Sequence, residues 1–136
     1  MTHIWPIRVY YEDTDLAGIV YYANYLRFIE RARSEMVREA GVDQVAMKAA
    51  GLVFAVRRVE ADYLSPAKYD DQIEVRTTLA TLKGASFDMA QEVWRGETLL
   101  FRARVAVVVL TDEGRATRLP ADIRARIGAL GADAGA

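Results

Sequence analysis

Three carboxylates, Glu12, Asp13 and Asp15, crowd together just ahead of Gly18 in the stretch YYEDTDLAGIVYYANYLRF that runs from Tyr10 to Phe28. An apolar run rich in tyrosine, with Tyr21, Tyr22 and Tyr25, follows at once. A carboxylate in such a place can act as a general base on water or attack a carbonyl itself. It can equally well close a turn or cap a helix, because Asp, Thr and Gly gather at helix starts for hydrogen-bonding reasons. From spacing alone this turn or capping role is favoured at Asp15 by roughly two to one. Glu12 reads as a solvated loop residue, and Asp13 as one that orients a neighbour or binds Arg33.

The catalytic alternative has its own physical logic. A helix that begins after the tyrosines offers free N–H groups and the positive end of its dipole. Those groups can hold an oxyanion as it forms on an attacked carbonyl. Gly18, without a side chain, would let ligand and backbone approach closely. Tyr22 stands at the predicted helix start, so its backbone N–H is a candidate donor whatever its phenol does. A phenol with an unperturbed pKa of ~10 is a poor base at neutral pH but can still donate a hydrogen bond. The substrate that best suits such a site is an ester with a good leaving group. A thioester qualifies, since a thiolate departs without help from a general acid.

Other chemistries lack their residues. The chain has no cysteine and a single histidine, His3. Disulfides, thiolate nucleophiles and cysteine metal sites are excluded. His3 lies near a terminus expected to fray, so neither a Ser-His-Asp triad nor a zinc site is expected.

The elements that must position these residues follow from periodicity. Ile4 to Tyr11 alternates as a strand, with Ile7, Val9 and Tyr11 on one face. From Tyr22 to Ala40 the period is helical: Tyr22, Tyr25, Leu26, Ile29, Ala32, Met36, Val37 and Ala40 form the apolar face, and Gly41 ends the run. Arg33 falls inside that face, as a snorkelling side chain or as half of an ion pair with Glu30 or an acid of the opening motif. A short helix is predicted over Val42–Ala50 and another over Pro120–Leu130. Strands are predicted over Leu52–Leu64, Gln72–Leu82, Ser86–Trp94 and Leu99–Leu110, joined by short turns such as Lys83-Gly84 and Arg95-Gly96-Glu97. In the last strand Val105, Val107 and Val109 share one face, opposite Arg102 and Arg104. Strand, long helix, then four strands is an α+β plan, one helix packed across an antiparallel sheet of about five strands. One helix covers only one sheet face, so the apolar residues of the other face call for a second subunit.

The 136 residues, 52% hydrophobic and 27% charged, fit one globular domain over about 1–130, with a flexible tail over 131–136. A net charge of -1 gives no basic field for nucleic acid. No apolar run is long enough to span a membrane. The N-terminus MTHIWPIRVYYED lacks the charged and apolar regions of a signal peptide, so a cytoplasmic location is expected.

RVYYEDTDLAGIVYYANYLRFIERAR resembles the opening motif of the hotdog-fold acyl-CoA thioesterases of the 4-hydroxybenzoyl-CoA thioesterase family, and most of all the bacterial members associated with the Tol–Pal cell-envelope system. The family pattern D-x-D-x-x-G-[IV]-V-Y followed by E-R-A-R is present almost unbroken. A second shared stretch is FAVRRVEADYLSPAKYDDQIEV, Phe54 to Val75. By eye, the resemblance covers about nine tenths of the chain. It implies a long helix wrapped by a curved antiparallel sheet, and homodimers with two sites at the interface, often paired into homotetramers. It implies that Asp15 is the catalytic carboxylate, as nucleophile or as general base, that the amide of Tyr22 polarises the thioester carbonyl, and that Gly18 is the motif's glycine. The Tol–Pal-associated members typically carry histidine where this chain has Tyr22; the hydroxybenzoyl-CoA enzymes carry tyrosine.

By analogy with the family, Lys83 is the best-placed cation for the coenzyme A phosphates, followed by Arg57 and Arg58. Ordinary solvation is the better reading for the two arginines. Val53, Phe54 and Tyr63 are candidates for the acyl pocket or for plain core. The activity implied is hydrolysis of an acyl-CoA, or of an acyl carrier protein thioester, with no metal and no cofactor beyond the coenzyme A of the substrate. The rivals are a hydroxyacyl-thioester dehydratase, against which the missing histidine counts, and a non-catalytic module that binds an acyl carrier or an envelope partner.

Overall fold

Segments of alternating apolar and polar residues pair into one antiparallel sheet in the computed structural model, which describes residues 1–131; the expected tail therefore lies, Gly131 aside, outside the described residues. The strands are β1 (His3–Arg8), β2 (Leu52–Tyr63), β3 (Gln72–Leu82), β4 (Ser86–Arg95), β5 (Thr98–Thr111) and the two-residue β6 (Ala116–Thr117). Their order is β1-β3-β4-β5-β2, with β6 added beside the end of β5. The predicted count of about five becomes six because the chain turns back after Gly114 to pair Leu110 with Ala116. β1 stops at Arg8 instead of reaching Tyr11. The chain enters a 3-10 turn at Tyr11–Asp13, tied by the Tyr10 N–H to Asp13 Oδ2 at 2.8 Å, and Tyr11 ends up in solvent.

Across the sheet lies α1 (Asn24–Glu39). Its buried residues, Tyr25, Phe28, Ile29, Ala32, Met36 and Val37, make a continuous apolar stripe. Phe28 holds a place in it while Leu26, one residue off the stripe, stays 40% exposed. Gly41, at φ 91°, ends the helix. The Gly41 N–H reaches the Arg38 carbonyl at 3.0 Å and the Val42 N–H the Val37 carbonyl at 3.2 Å, the two bonds of a Schellman motif, with Val42 and Val37 both buried. Next come α2 (Gln44–Ala49), capped by the Asp43 carboxylate on the Val45 and Ala46 N–H groups, and, after the last strand, α3 (Ala121–Ala129). A long helix laid on an antiparallel sheet is the α+β hotdog arrangement.

The face toward α1 carries the core: Val75, Phe87, Met89, Val93, Phe101, Val105, Val107 and Val109 are buried there. The opposite face is not the apolar one expected. It is laced with ion pairs, Arg102 with Asp62 at 3.0 Å and Arg104 with Asp88 at 3.1 Å, and the Arg76 guanidinium lies 4.4 Å above the Trp94 ring. What lacks cover is β2. α1 packs mainly on β1, β3 and β4, and α2 sits against β2. So Val56, Val59 and Tyr63, which pair with the buried Val107, Val105 and Phe101, remain 47%, 40% and 48% exposed on an edge strand. The same edge carries a β-bulge between Val56 and Arg58, with Arg57 as the extra residue.

The N-terminus is pinned, contrary to expectation. His3 pairs with Thr77 in the sheet and its Nε2 meets the Glu39 carboxylate. Glu39 is the last residue of α1, whose sixteen residues separate it from the helix entrance by about 22 Å, so His3 has no part in chemistry there.

Candidate active site

The carboxylate loop is a small hairpin. Thr14 faces Val20, the Asp15 N–H reaches the Ile19 carbonyl at 2.9 Å, and the Gly18 N–H reaches the Asp15 carbonyl at 3.0 Å. Gly18 takes φ 81°, the left-handed geometry that closes a three-residue hairpin loop. A Cβ there would touch nothing within 4 Å, so the need for glycine is conformational and not one of close approach.

Asp13 ties this hairpin to the helix. Its carbonyl accepts the Tyr21 N–H at 2.9 Å and the Asn24 side-chain amide at 2.9 Å. Asp13 thus orients its neighbours and makes no contact with Arg33. Arg33 instead donates to Gln91 Oε1 at 3.0 Å, and Gln91 donates on to the Ile29 carbonyl and the Thr77 hydroxyl. No carboxylate pairs with the Arg33 guanidinium among the described residues, and burial pushes its pKa down.

Asp15 is not a helix cap, since the helix starts nine residues further on. Its Oδ1 accepts the Ala17 N–H at 2.9 Å, which makes it a turn residue, and its Oδ2 has no partner among the described residues. The side chain is exposed. Tyr21 and Tyr22, whose rings are 4.9 Å apart, follow the hairpin. The Tyr21 phenol is held above its ordinary pKa, mostly by Tyr22 beside it and least by the charge of Asp15.

Regular helix begins at Asn24, not at Tyr22. Ala23 occupies the N-cap position and cannot cap with its side chain. The Tyr21 carbonyl takes the Asn24 N–H at 2.8 Å, closing a turn with Tyr22 and Ala23 at its centre. Neither the Tyr22 nor the Ala23 N–H has an acceptor among the described residues. The entrance of α1 therefore presents two unsatisfied donors next to the hairpin that carries Asp15.

The other candidates separate along the sheet. Tyr63 pairs with Phe101 at the Asp15 end, and its hydroxyl donates to the Tyr22 carbonyl at 2.9 Å. Phe54 pairs with Val109 near the other end, eight residues along β5 and so about 26 Å away. Phe54 packs edge-on against Phe87 at 5.4 Å and lines a cavity of about 180 Å³ with Glu30, Arg33, Ser34 and Val56. Val53, one residue earlier, faces the opposite side of the sheet, so the two cannot line one pocket. Lys83 is also at the far end, exposed in the β3–β4 turn. Arg124 donates to its carbonyl at 3.3 Å, and the Arg118 guanidinium lies over Gly84. These two arginines, absent from the sequence reading, make the Lys83 turn a cationic cluster. Arg57 is the exposed bulge residue, and Arg58 is paired with Glu60.

A family model described as the thioesterase-like superfamily matches residues 9–127. The chain belongs to that superfamily. Among its members, the acyl-CoA thioester hydrolase YbgC of Escherichia coli is 45% identical over 79% of this chain and 81% of its own length. The acyl-CoA thioesterase YbgC of Haemophilus influenzae is 41% identical over 76% of each. A thioesterase-like structure, the probable thioesterase from Bartonella henselae, superposes with a TM-score of 0.84 at 38% identity, over 88% of this chain and 100% of that one. A 4-hydroxybenzoyl-CoA thioesterase with an Asp-to-Asn substitution, complexed with 4-hydroxybenzoyl-CoA, superposes with a TM-score of 0.84 at 25% identity, over 93% and 98%.

Proposed function

We propose that this superfamily member hydrolyses acyl-CoA thioesters with Asp15 as its base or nucleophile. The observation that carries the reading is the free Oδ2 of Asp15 on a hairpin bonded to a helix entrance with two unsatisfied N–H groups. A thioester carbonyl at that entrance would aim its oxygen at the Tyr22 and Ala23 amides. Asp15 would then take a proton from the attacking water, or attack the carbonyl carbon directly. Either addition moves the carbonyl electrons onto oxygen, where the amides hold the charge. The C–S bond then breaks and coenzyme A leaves as thiolate; water attack gives the free acid at once, whereas Asp15 attack leaves a mixed anhydride that a water then hydrolyses, releasing the acid and restoring the Asp15 carboxylate. No metal and no further cofactor enters this scheme.

The site is completed by a second copy. A dyad across the uncovered β2 edge would run two β2 strands antiparallel, setting the Tyr63 end of one beside the Phe54 end of the other. Phe54, the Arg33 cavity and the Lys83 cluster of the second copy would then stand beside the first copy's Asp15, with acyl chain and phosphates in reach. A homodimer is the minimum, and a homotetramer would add contacts through the charged sheet face. Among the described residues no helix is long and apolar enough to cross a membrane. A cytoplasmic enzyme working beside the Tol–Pal system fits the resemblance of the opening motif.

The test is thiol release from short, long and aromatic acyl-CoAs by wild type and Asp15→Asn together. Release that disappears in a folded Asp15→Asn supports the assignment; equal release removes Asp15 from the chemistry. Absence of release with every acyl-CoA would favour an acyl carrier protein substrate or a binding module.

A further inference from the structure

Tyr63 sits 41 residues after Tyr22, on a different element, yet its hydroxyl is the partner of the Tyr22 carbonyl at 2.9 Å. No backbone N–H reaches that carbonyl among the described residues. A peptide is planar and its N–H points opposite its C=O, so whatever fixes the Tyr22 carbonyl also aims the Ala23 N–H. That N–H is one of the two unsatisfied donors at the helix entrance. The other, on Tyr22, belongs to the peptide whose carbonyl is already held by Asn24. The first peptide is set by a local turn, and the second depends on Tyr63.

We infer that Tyr63 is a positioning residue for the reaction: its hydroxyl holds the Tyr22–Ala23 peptide so that the Ala23 N–H serves as a second oxyanion donor. This rests on the reading of the Asp15 site given above. A hydrogen bond at the carbonyl end also polarises the peptide and strengthens its N–H as a donor.

The surroundings fit a residue held for its hydroxyl. The Tyr63 ring is gripped edge-on by Phe101 at 5.0 Å, Tyr25 at 5.5 Å and Tyr22 at 6.2 Å. Those contacts fix the ring without using the oxygen. Burial, then the neighbouring Tyr22 and Tyr25 phenols, raise the pKa of Tyr63, so the proton it donates stays in place at neutral pH.

The test is Tyr63→Phe, which keeps the ring and removes only the oxygen, assayed with an acyl-CoA that wild type turns over and with Asp15→Asn in parallel. The expected result is a kcat lowered about five- to twenty-fold, the loss of one hydrogen bond's worth, with KM within about two-fold. Melting temperature should fall by only a few degrees, roughly the stability of one partly exposed hydrogen bond. A second readout is the ¹³C-edited infrared stretch of the thioester carbonyl bound to Asp15→Asn, which should move back toward its solution frequency when Tyr63→Phe is added. Wild-type kcat and carbonyl frequency in Tyr63→Phe beside an inactive Asp15→Asn overturn the Tyr63 role alone. A raised KM with unchanged kcat would make Tyr63 a binding residue and also overturn it. Full activity in Asp15→Asn overturns the site reading and this inference with it.

Discussion

The Asp13 carbonyl and the Asn24 side-chain amide are joined at 2.9 Å, and this bond couples the carboxylate hairpin to the first residue of α1. The Asn24 backbone N–H holds the Tyr21 carbonyl at the same time. Asn24→Ala should therefore lower kcat more than it lowers stability. The expected stability loss is about 1 kcal/mol, since one partly buried hydrogen bond goes and alanine is a good helix former. Steady-state kinetics beside a urea titration measures both; a stability loss with normal kcat would show that the hairpin needs no tether.

Gly18 gives a prediction of a different kind. Its φ of 81° penalises any side chain, yet a Cβ there meets no atom. Gly18→Ala should cost about 1–2 kcal/mol from backbone strain alone, and Gly18→Asn distinctly less, because asparagine tolerates the left-handed region. Chemical denaturation of both variants checks the order. Equal costs would point to a steric origin instead.

Arg33 and Gln91 should respond asymmetrically. Gln91→Leu removes the acceptor at 3.0 Å from Arg33 and the donor to Ile29 and Thr77, leaving buried groups unpaired. A loss of about 2–4 kcal/mol is expected. Arg33→Met removes the buried charge itself but leaves the buried Gln91 Oε1 without its donor, so a smaller loss of about 1–2 kcal/mol is expected. Thermal melts of the two variants and the double mutant decide the matter.

Tyr21, Tyr25 and Tyr63 all carry raised pKa values; burial is the first cause at Tyr25 and Tyr63, and the Tyr22 phenol at Tyr21. Their neutral forms are favoured in the folded chain. The unfolded chain gives up those protons first as pH rises past ~10, so folding stability is complete below that value and is lost as pH climbs through the higher folded values. Tyrosinate absorbance of the native protein should accordingly keep rising above the pH range in which the denatured chain titrates, as Tyr21, Tyr25 and Tyr63 hold their protons longer. Coincident native and denatured titrations would contradict the raised values.

Val59 is 40% exposed on the β2 edge although its partner Val105 is fully buried. Val59→Lys should leave the monomer folded and break the proposed β2-edge dimer, so that wild type sediments as more than one chain and the variant as one, since an inward-facing charge blocks edge pairing. An unchanged sedimentation coefficient would move the interface elsewhere.

The elements were legible wherever the cause was local. Helical spacing and Gly41 marked α1, and alternation with Lys83-Gly84 and Gly96 marked the β3–β4–β5 meander. Causes distant in the chain were not legible. Arg33 invited an acidic partner nearby, but its partner is Gln91, on β4. Composition marked Leu52–Leu64 as a strand but not that it would end the sheet, so the missing cover was assigned to the other sheet face instead of the β2 edge. Val53 and Phe54, adjacent in sequence, looked like one pocket until the pleat set them on opposite faces. At the candidate site, the motif named Asp15, Gly18 and Tyr22, which the fold gathers at one hairpin and helix entrance. The tether through Asn24, the hydroxyl of Tyr63 and the arginines beside Lys83 depend on contacts that no spacing encodes.

The sheet order also carries a history. β3, β4 and β5 pair through tight consecutive turns, whereas His3 must find Thr77 and Leu52 must find Thr111. Closing those long loops costs entropy that only the finished meander can offset, so β1 and β2 dock late. Tyr63 arrives with β2, which makes the proposed oxyanion site a late product of folding, assembled on the last strand of the sheet.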